Sequence, residues 1–204
     1  HPVELAHRVA YLDQLSQGRL MLGVGAGGFP NDLVTFQIDG ENNENRKMMK
    51  EALEIIMKLW TEKEPFEYKG QYWNATKTEA NDFSAYHIYP FQQPHPPIGI
   101  TGLSPRSDTL AMAGEKGLIP LSFGYNNEYV ASHWEAYEEG ARKAGRTADR
   151  SKWRISRDVF VADTDEEALE GSLGNMMGRQ HRDYWIGLFA GFRFLSLFKH
   201  DPAV

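Results

Sequence analysis

Leu103-Ser104-Pro105-Arg106-Ser107 places two hydroxyls three residues apart, between an apolar run at 98–102 and a helix-forming stretch that reaches Lys116. The first N–H groups of a helix have no partner and its dipole favours negative charge. The junction therefore has the chemistry of an anion site, with Ser104 and Ser107 as extra donors. A plainer role is equally compatible with these letters, with Ser104 as a helix cap and Ser107 as a surface hydroxyl. Arg46 opens a helical pattern at 44–61 and carries five donors in a fixed fork, suited to a phosphate. An ion pair with Glu44 or Glu51 would occupy it just as well. His1 could hydrogen-bond a ligand or move a proton, or simply precede Pro2 at a helix entry.

Other chemistries lack their residues. The remaining histidines (His7, His87, His95, His133, His181, His200) show no metal-ligand spacing, so no zinc or iron site is expected. Zero cysteines exclude disulfides and thiol nucleophiles. No Gly-x-Ser-x-Gly elbow is present. Gly23, Gly25, Gly27 and Gly28 make a poor dinucleotide fingerprint, because Phe29-Pro30 stands where a helix should begin. Glu135, Glu138 and Glu139 read as a solvated helix face. The net charge of -6 and the absence of a basic face argue against nucleic acid. No apolar run approaches the ~20 residues that span a bilayer, no signal-peptide pattern is seen, and the expected location is cytoplasmic.

The elements that must position these groups alternate. Helical spacing covers 2–16, with Val3, Leu5, Val9, Ala10, Leu12 and Leu15 as its apolar stripe. A buried strand follows at 20–25, then a loop over 29–43 and the helix at 44–61, capped by Asn42 or Asn43. Residues 62–97 form an aromatic excursion: a hairpin turning at Lys69-Gly70, then a proline-rich connector, with Phe66, Tyr68, Tyr72, Trp73 and Phe83 able to wall an apolar substrate pocket but better read as cross-strand pairs. Strands at 98–102, 118–123 and 154–162 alternate with helices at 104–116 and 129–144. Thr164 with Glu167 forms a capping box, and the chain continues helical to about Leu197 with breaks near Gly187 and Gly191. The pattern is α/β, with a single domain over 1–204.

The segment HPVELAHRVAYLDQLSQGRLMLGVGAGG, residues 1–28, resembles the bacterial luciferase-like, flavin-dependent monooxygenases, with LDQLSQGRLMLGVGAG as its core. The resemblance implies a (β/α)8 TIM barrel, here a partial barrel lacking N-terminal strands and the last strand, so that the isolated chain would be inactive. It implies reduced FMN from a separate flavin reductase, O2, and a small organic substrate such as an aldehyde, ketone or terpene, with a homo-oligomeric full-length protein. Ser104 and Ser107 fall on the family's phosphate-binding hydroxyls, and Arg46 on a phosphate arginine. Gly25, Gly27 and Gly28 lie in the flavin loop, and His1 at the active-site face as the candidate catalytic residue. The luciferases carry an arginine where Ala26 stands and an acidic residue where Leu103 stands. Within the family, GLSPRS is most similar to limonene- and alkanal-type monooxygenases. The alternatives are a deazaflavin-dependent hydride-transfer enzyme of the same fold and a non-catalytic flavin-binding paralogue.

Overall fold

The computed structural model describes residues 1–79, 81, 83, 87–192 and 194–198, excepting the Ser196 side chain. The chain from Lys199 on, with His200, lies outside the described residues. Two compact units, 1–99 and 100–204, are distinguished by their internal contacts.

In the first unit, helix α1 (Pro2–Ser16) has Pro2 in its first turn and ends at Gln17, whose φ of 52° turns the chain left-handed. Its buried face is Pro2, Ala6, Val9, Ala10 and Asp13, while Leu5, Leu12 and Leu15 are exposed. The apolar stripe is therefore rotated from the expected one. Two tertiary contacts rotate it: Trp60 donates its indole N–H to the Ala6 carbonyl at 2.9 Å, and the Asp13 carboxylate accepts from Gln92. Small Ala6 and Ala10 also let another helix come close, where leucines would hold it off.

Strand β1 (Leu22–Val24) is shorter than expected, and Leu22 donates its N–H to the Pro97 carbonyl at 2.9 Å. Helix α2 (Pro30–Thr35) occupies part of the expected loop, with Pro30 at its first position. A helix does begin after the glycines, contrary to the sequence reading. Helix α3 (Glu44–Thr61) matches the pattern, burying Leu53, Ile55, Ile56, Leu59 and Trp60. Its N-cap Asn43 makes no side-chain cap bond and is itself left-handed at φ 56°.

The hairpin pairs β2 (Phe66–Lys69) with β3 (Asn74–Lys77), antiparallel. Phe66 faces Lys77 and Tyr68 faces Ala75, so the aromatics do not form cross-strand pairs. Tyr72 and Trp73 lie in the turn instead. The Glu51 carboxylate holds that turn, accepting the amides of Gln71, Tyr72 and Trp73 at 2.6–3.0 Å.

Strand β4 (Ile98–Gly102) falls where expected and carries the chain into the second unit. There follow helix α4 (Asp108–Lys116), strand β5 (Ile119–Phe123), helix α5 (Asn127–Lys143) and strand β6 (Arg154–Ser156). Strands β5 and β6 are parallel, with Leu121 opposite Arg154 and Phe123 opposite Ser156. In the larger sheet β5 lies between β4 and β6. Trp134, Tyr137 and Ala141 of α5 are buried, as their spacing predicts. Thr164 caps α6 (Asp165–Gly174), accepting the Glu167 amide. The following break falls at Asn175, which ends α6 and caps α7 (Met176–Gln180). Gly187 lies inside α8 (Ile186–Gly191) rather than breaking it.

Candidate functional site

Helix α4 starts at Asp108, four residues after Ser104, so Ser104 is not its cap. Ser107 is. Ser107 is only 3% exposed and makes no side-chain cap bond, which rules out the plainer alternative of a surface hydroxyl. Gly102 makes room for it: a Cβ there would stand 2.6 Å from the Ser107 Oγ and as close to Leu110. Leu110 and Ala111 donate their amides to the Ser107 carbonyl. The Asp108 and Thr109 amides precede this ladder and point out of the helix start.

Between the two serines Arg106 is strained. Its φ of 46° lies in the left-handed region, which costs a non-glycine residue roughly 1–2 kcal/mol. Helix α5 holds it there. The Ser132 Oγ accepts from the Arg106 amide at 3.0 Å, and the guanidinium reaches Glu135 at 3.1 Å and Glu139 at 2.9 Å. Those glutamates are solvent-facing, as the sequence suggested, yet they serve as ion-pair partners. The neighbouring cations Lys143 and Arg106, the first also by a direct hydrogen bond, hold the Glu139 carboxyl below the usual range.

The Ser104 carbonyl is held by the same helix. His133, 1% exposed, places Nε2 3.0 Å from that oxygen and Nδ1 3.1 Å from the Ser122 Oγ. A carbonyl only accepts, so Nε2 carries the proton, and the neutral ring leaves Nδ1 as acceptor for the Ser122 hydroxyl. Ser122 Oγ in turn accepts the Trp153 indole N–H at 3.0 Å. Burial holds the imidazole below its usual pKa, opposed by its bonding to the Ser104 and Leu103 backbone. No sequence signal exposes this chain, because Ser104, Ser122, His133 and Trp153 are distant along the sequence.

The first unit holds the other predicted residues. His1 caps α1, its Nδ1 accepting from the Val3 amide at 3.3 Å, and its ring meets Trp73 edge-on at 5.4 Å. Gly27 is left-handed at φ 72°, and its carbonyl accepts from the Asn45 amide at 2.8 Å. Arg46 is exposed and, among the described residues, makes no ion pair; Glu51 serves the hairpin turn instead. A mostly apolar cavity of about 260 Å³ borders Gly25, Ala26, Asn45, Met48, Met49 and Trp73. Of the aromatics that could wall a pocket only Trp73 borders this cavity, and sequence reasoning missed the Asn45 tie to the glycine loop and the α3 lining, since each depends on how α3 packs.

Among the described residues no group of three or more His, Asp or Glu could hold a metal ion. No described helix is long and apolar enough to cross a membrane.

Known proteins resemble this chain along its whole length. The family model "Luciferase-like monooxygenase" matches residues 1–201. The 3,6-diketocamphane 1,6-monooxygenase of Pseudomonas putida is 34% identical over 226 residues, covering 100% of this chain and 58% of that protein. Limonene 1,2-monooxygenase of Rhodococcus erythropolis is 32% identical over 177 residues, covering 82% of this chain and 41% of that protein. In solved structures, the oxygenating constituent of the P. putida 3,6-diketocamphane monooxygenase, a Type II Baeyer-Villiger monooxygenase in complex with FMN, superposes with a TM-score of 0.82. That match has 33% identity and covers 100% of this chain and 57% of the other. The chain thus spans about half the length of the curated relatives it matches.

Proposed function

Because this chain belongs to the luciferase-like monooxygenase family, we propose that its protein is a flavin-dependent monooxygenase using reduced FMN and O2 to oxygenate a small organic substrate. The relatives favour a cyclic ketone or terpene. A separate flavin reductase supplies the reduced cofactor, the protein is a cytoplasmic homo-oligomer, and residues 1–204 act as one domain with the aromatic excursion attached.

The observation that carries the reading is the buried Ser107 hydroxyl. It makes no cap bond at the start of a nine-residue helix, directly after a strand of the sheet. In α/β folds the loops at the strands' carboxyl ends bind ligands. The residues fit a phosphate: two outward amides, two hydroxyls and the positive end of a helix dipole. Ser104 and Ser107 hold the FMN phosphate in this proposal, with Arg46 and the Gly25, Gly27 and Gly28 backbone as further flavin contacts. Ala26 and Leu103 replace polar groups of the luciferases, so more of the binding falls on those backbone amides. His1 offers its Nε2 to the flavin edge or to a substrate oxygen. Reduced FMN, when bound, supplies the electrons that activate oxygen, while the protein positions it and excludes water.

The test supplies the intact protein with reduced FMN or with reduced deazaflavin, under air and a panel of ketones and terpenes. Oxygen consumption with FMN, and product one oxygen heavier, is the expected result. Turnover with deazaflavin alone, without oxygen uptake, would establish the hydride-transfer alternative. Flavin binding without turnover in either arm would indicate the non-catalytic paralogue.

A further inference from the structure

Helix α5 touches the 103–107 loop at the Ser104 carbonyl, at the Arg106 amide and at the Arg106 guanidinium. His133 fixes the Ser104 carbonyl, Ser132 fixes the Arg106 amide, and Glu135 and Glu139 hold the Arg106 guanidinium. Three of these contacts are surface groups that water could replace. The His133 contact is different, because the ring is 1% exposed and its second nitrogen is committed to Ser122, which is committed to Trp153. Donor and acceptor alternate along the whole run: indole N–H to Ser122 Oγ, Ser122 O–H to Nδ1, and Nε2–H to the Ser104 carbonyl.

A buried serine, a neutral imidazole and a backbone carbonyl joined this way define one geometry for the Ser104–Pro105 peptide. Pro105 has no N–H, so that peptide offers only its carbonyl as a handle. Without His133 the half-buried Ser104 carbonyl would lose its partner and the loop would rearrange to find one. Any rearrangement also moves Arg106, already held in a conformation that a non-glycine residue adopts only under constraint.

We propose that His133, locked as the Nε2–H tautomer between Ser122 and the Ser104 carbonyl, is the positioning residue that preorganises the 103–107 loop to receive a phosphate. The proposal rests on the flavin reading above. His133 touches no part of the cofactor itself, and it acts through the Ser104 carbonyl.

The experiment measures oxidised FMN and riboflavin binding to the intact protein by flavin fluorescence at a fixed pH of 7.5. The two ligands differ only in the phosphate, so their affinity ratio isolates the loop. In His133→Gln the side-chain amide replaces Nε2–H and keeps the bond to Ser104. In His133→Asn the shorter amide reaches Ser122 and leaves Ser104 unpaired.

We expect the FMN-over-riboflavin preference to survive in His133→Gln within about threefold and to fall at least tenfold in His133→Asn, with riboflavin affinity unchanged in both. Equal preferences in the two variants, or a parallel loss of both ligands in His133→Asn, would assign His133 a general structural role and overturn the proposal. If the wild-type protein binds FMN no better than riboflavin, or Ser107→Ala leaves its preference intact, the phosphate reading fails instead. Those outcomes are separate. Melting temperatures of both variants confirm that folded protein is compared.

Discussion

Gly114 of α4 lies against the Tyr137 carbonyl of α5, so that a Cβ on Gly114 would stand 2.0 Å from that oxygen. The contact is reciprocal one turn along, where a Cβ on Gly140 would stand 1.9 Å from the Ala111 carbonyl. Both obstacles are backbone, which cannot rotate away as a side chain could. The two helices therefore approach at glycine distance, and this close packing holds α5 where it can reach the 103–107 loop.

Gly114→Ala and Gly140→Ala should each destabilise the protein, even though alanine is the better helix former by roughly 1 kcal/mol. Overpacking typically costs about 1–3 kcal/mol and, against fixed backbone, reaches the upper end. Thermal denaturation of each variant checks this. A stabilised variant would mean that the helices slide apart without penalty.

Ser107→Ala should weaken FMN binding by roughly 1.5–3 kcal/mol, the worth of a hydrogen bond to a charged group, and leave stability nearly untouched because Ser107 makes no cap bond. Titration calorimetry with FMN reads the first quantity and a melting curve the second. Unchanged affinity would return Ser107 to a structural role in the loop.

Asp13 should prove one of the more costly polar residues to remove. It is fully buried, and its two carboxylate oxygens accept the Gln92 amide and side-chain Nε2, each at 2.8 Å. Gln92 passes the constraint on, donating also to the Leu20 carbonyl at 2.9 Å. Asp13→Ala leaves those donors unpaired and should cost about 1.5–3 kcal/mol. A urea midpoint within error of the wild type would show that water replaces the carboxylate.

The depressed pKa of His133 makes a prediction about acid. Burial keeps the folded imidazole below the ordinary value of about 6.5, so between the two pKa values the unfolded chain binds the extra proton. The stability this contributes is complete above about pH 6.5 and is lost as pH falls through the folded pKa. His87, also lowered by burial and by the nearby His7 and Lys77, adds a loss of the same sign. Urea unfolding at pH 8 and pH 5 should therefore show a smaller drop in His133→Gln than in the wild type. Equal drops would mean that His133 takes up its proton as readily folded as unfolded.

Local signals carried much of the fold because they depend on neighbours in the chain. The 3.6 spacing over 44–61 defines α3 to the residue, the apolar run at 98–102 coincides with β4, and Thr164 accepts the Glu167 amide as a capping box requires. The alternation of these elements and the 1–28 segment determined the family. Tertiary packing decided the remainder. Strand β6 stops at Ser156 although its alternating pattern runs to Ala162, since a strand extends only as far as a neighbour offers hydrogen bonds. The buried face of α1 was set by Trp60 and Gln92 rather than by its leucines. Most consequentially, His133 reads in the letters as one unremarked histidine among seven. Its tautomer, its burial and its hold on Ser104 arise only where β5, α5 and Trp153 meet, because a hydrogen bond between residues 29 apart leaves no periodicity for a sequence to display.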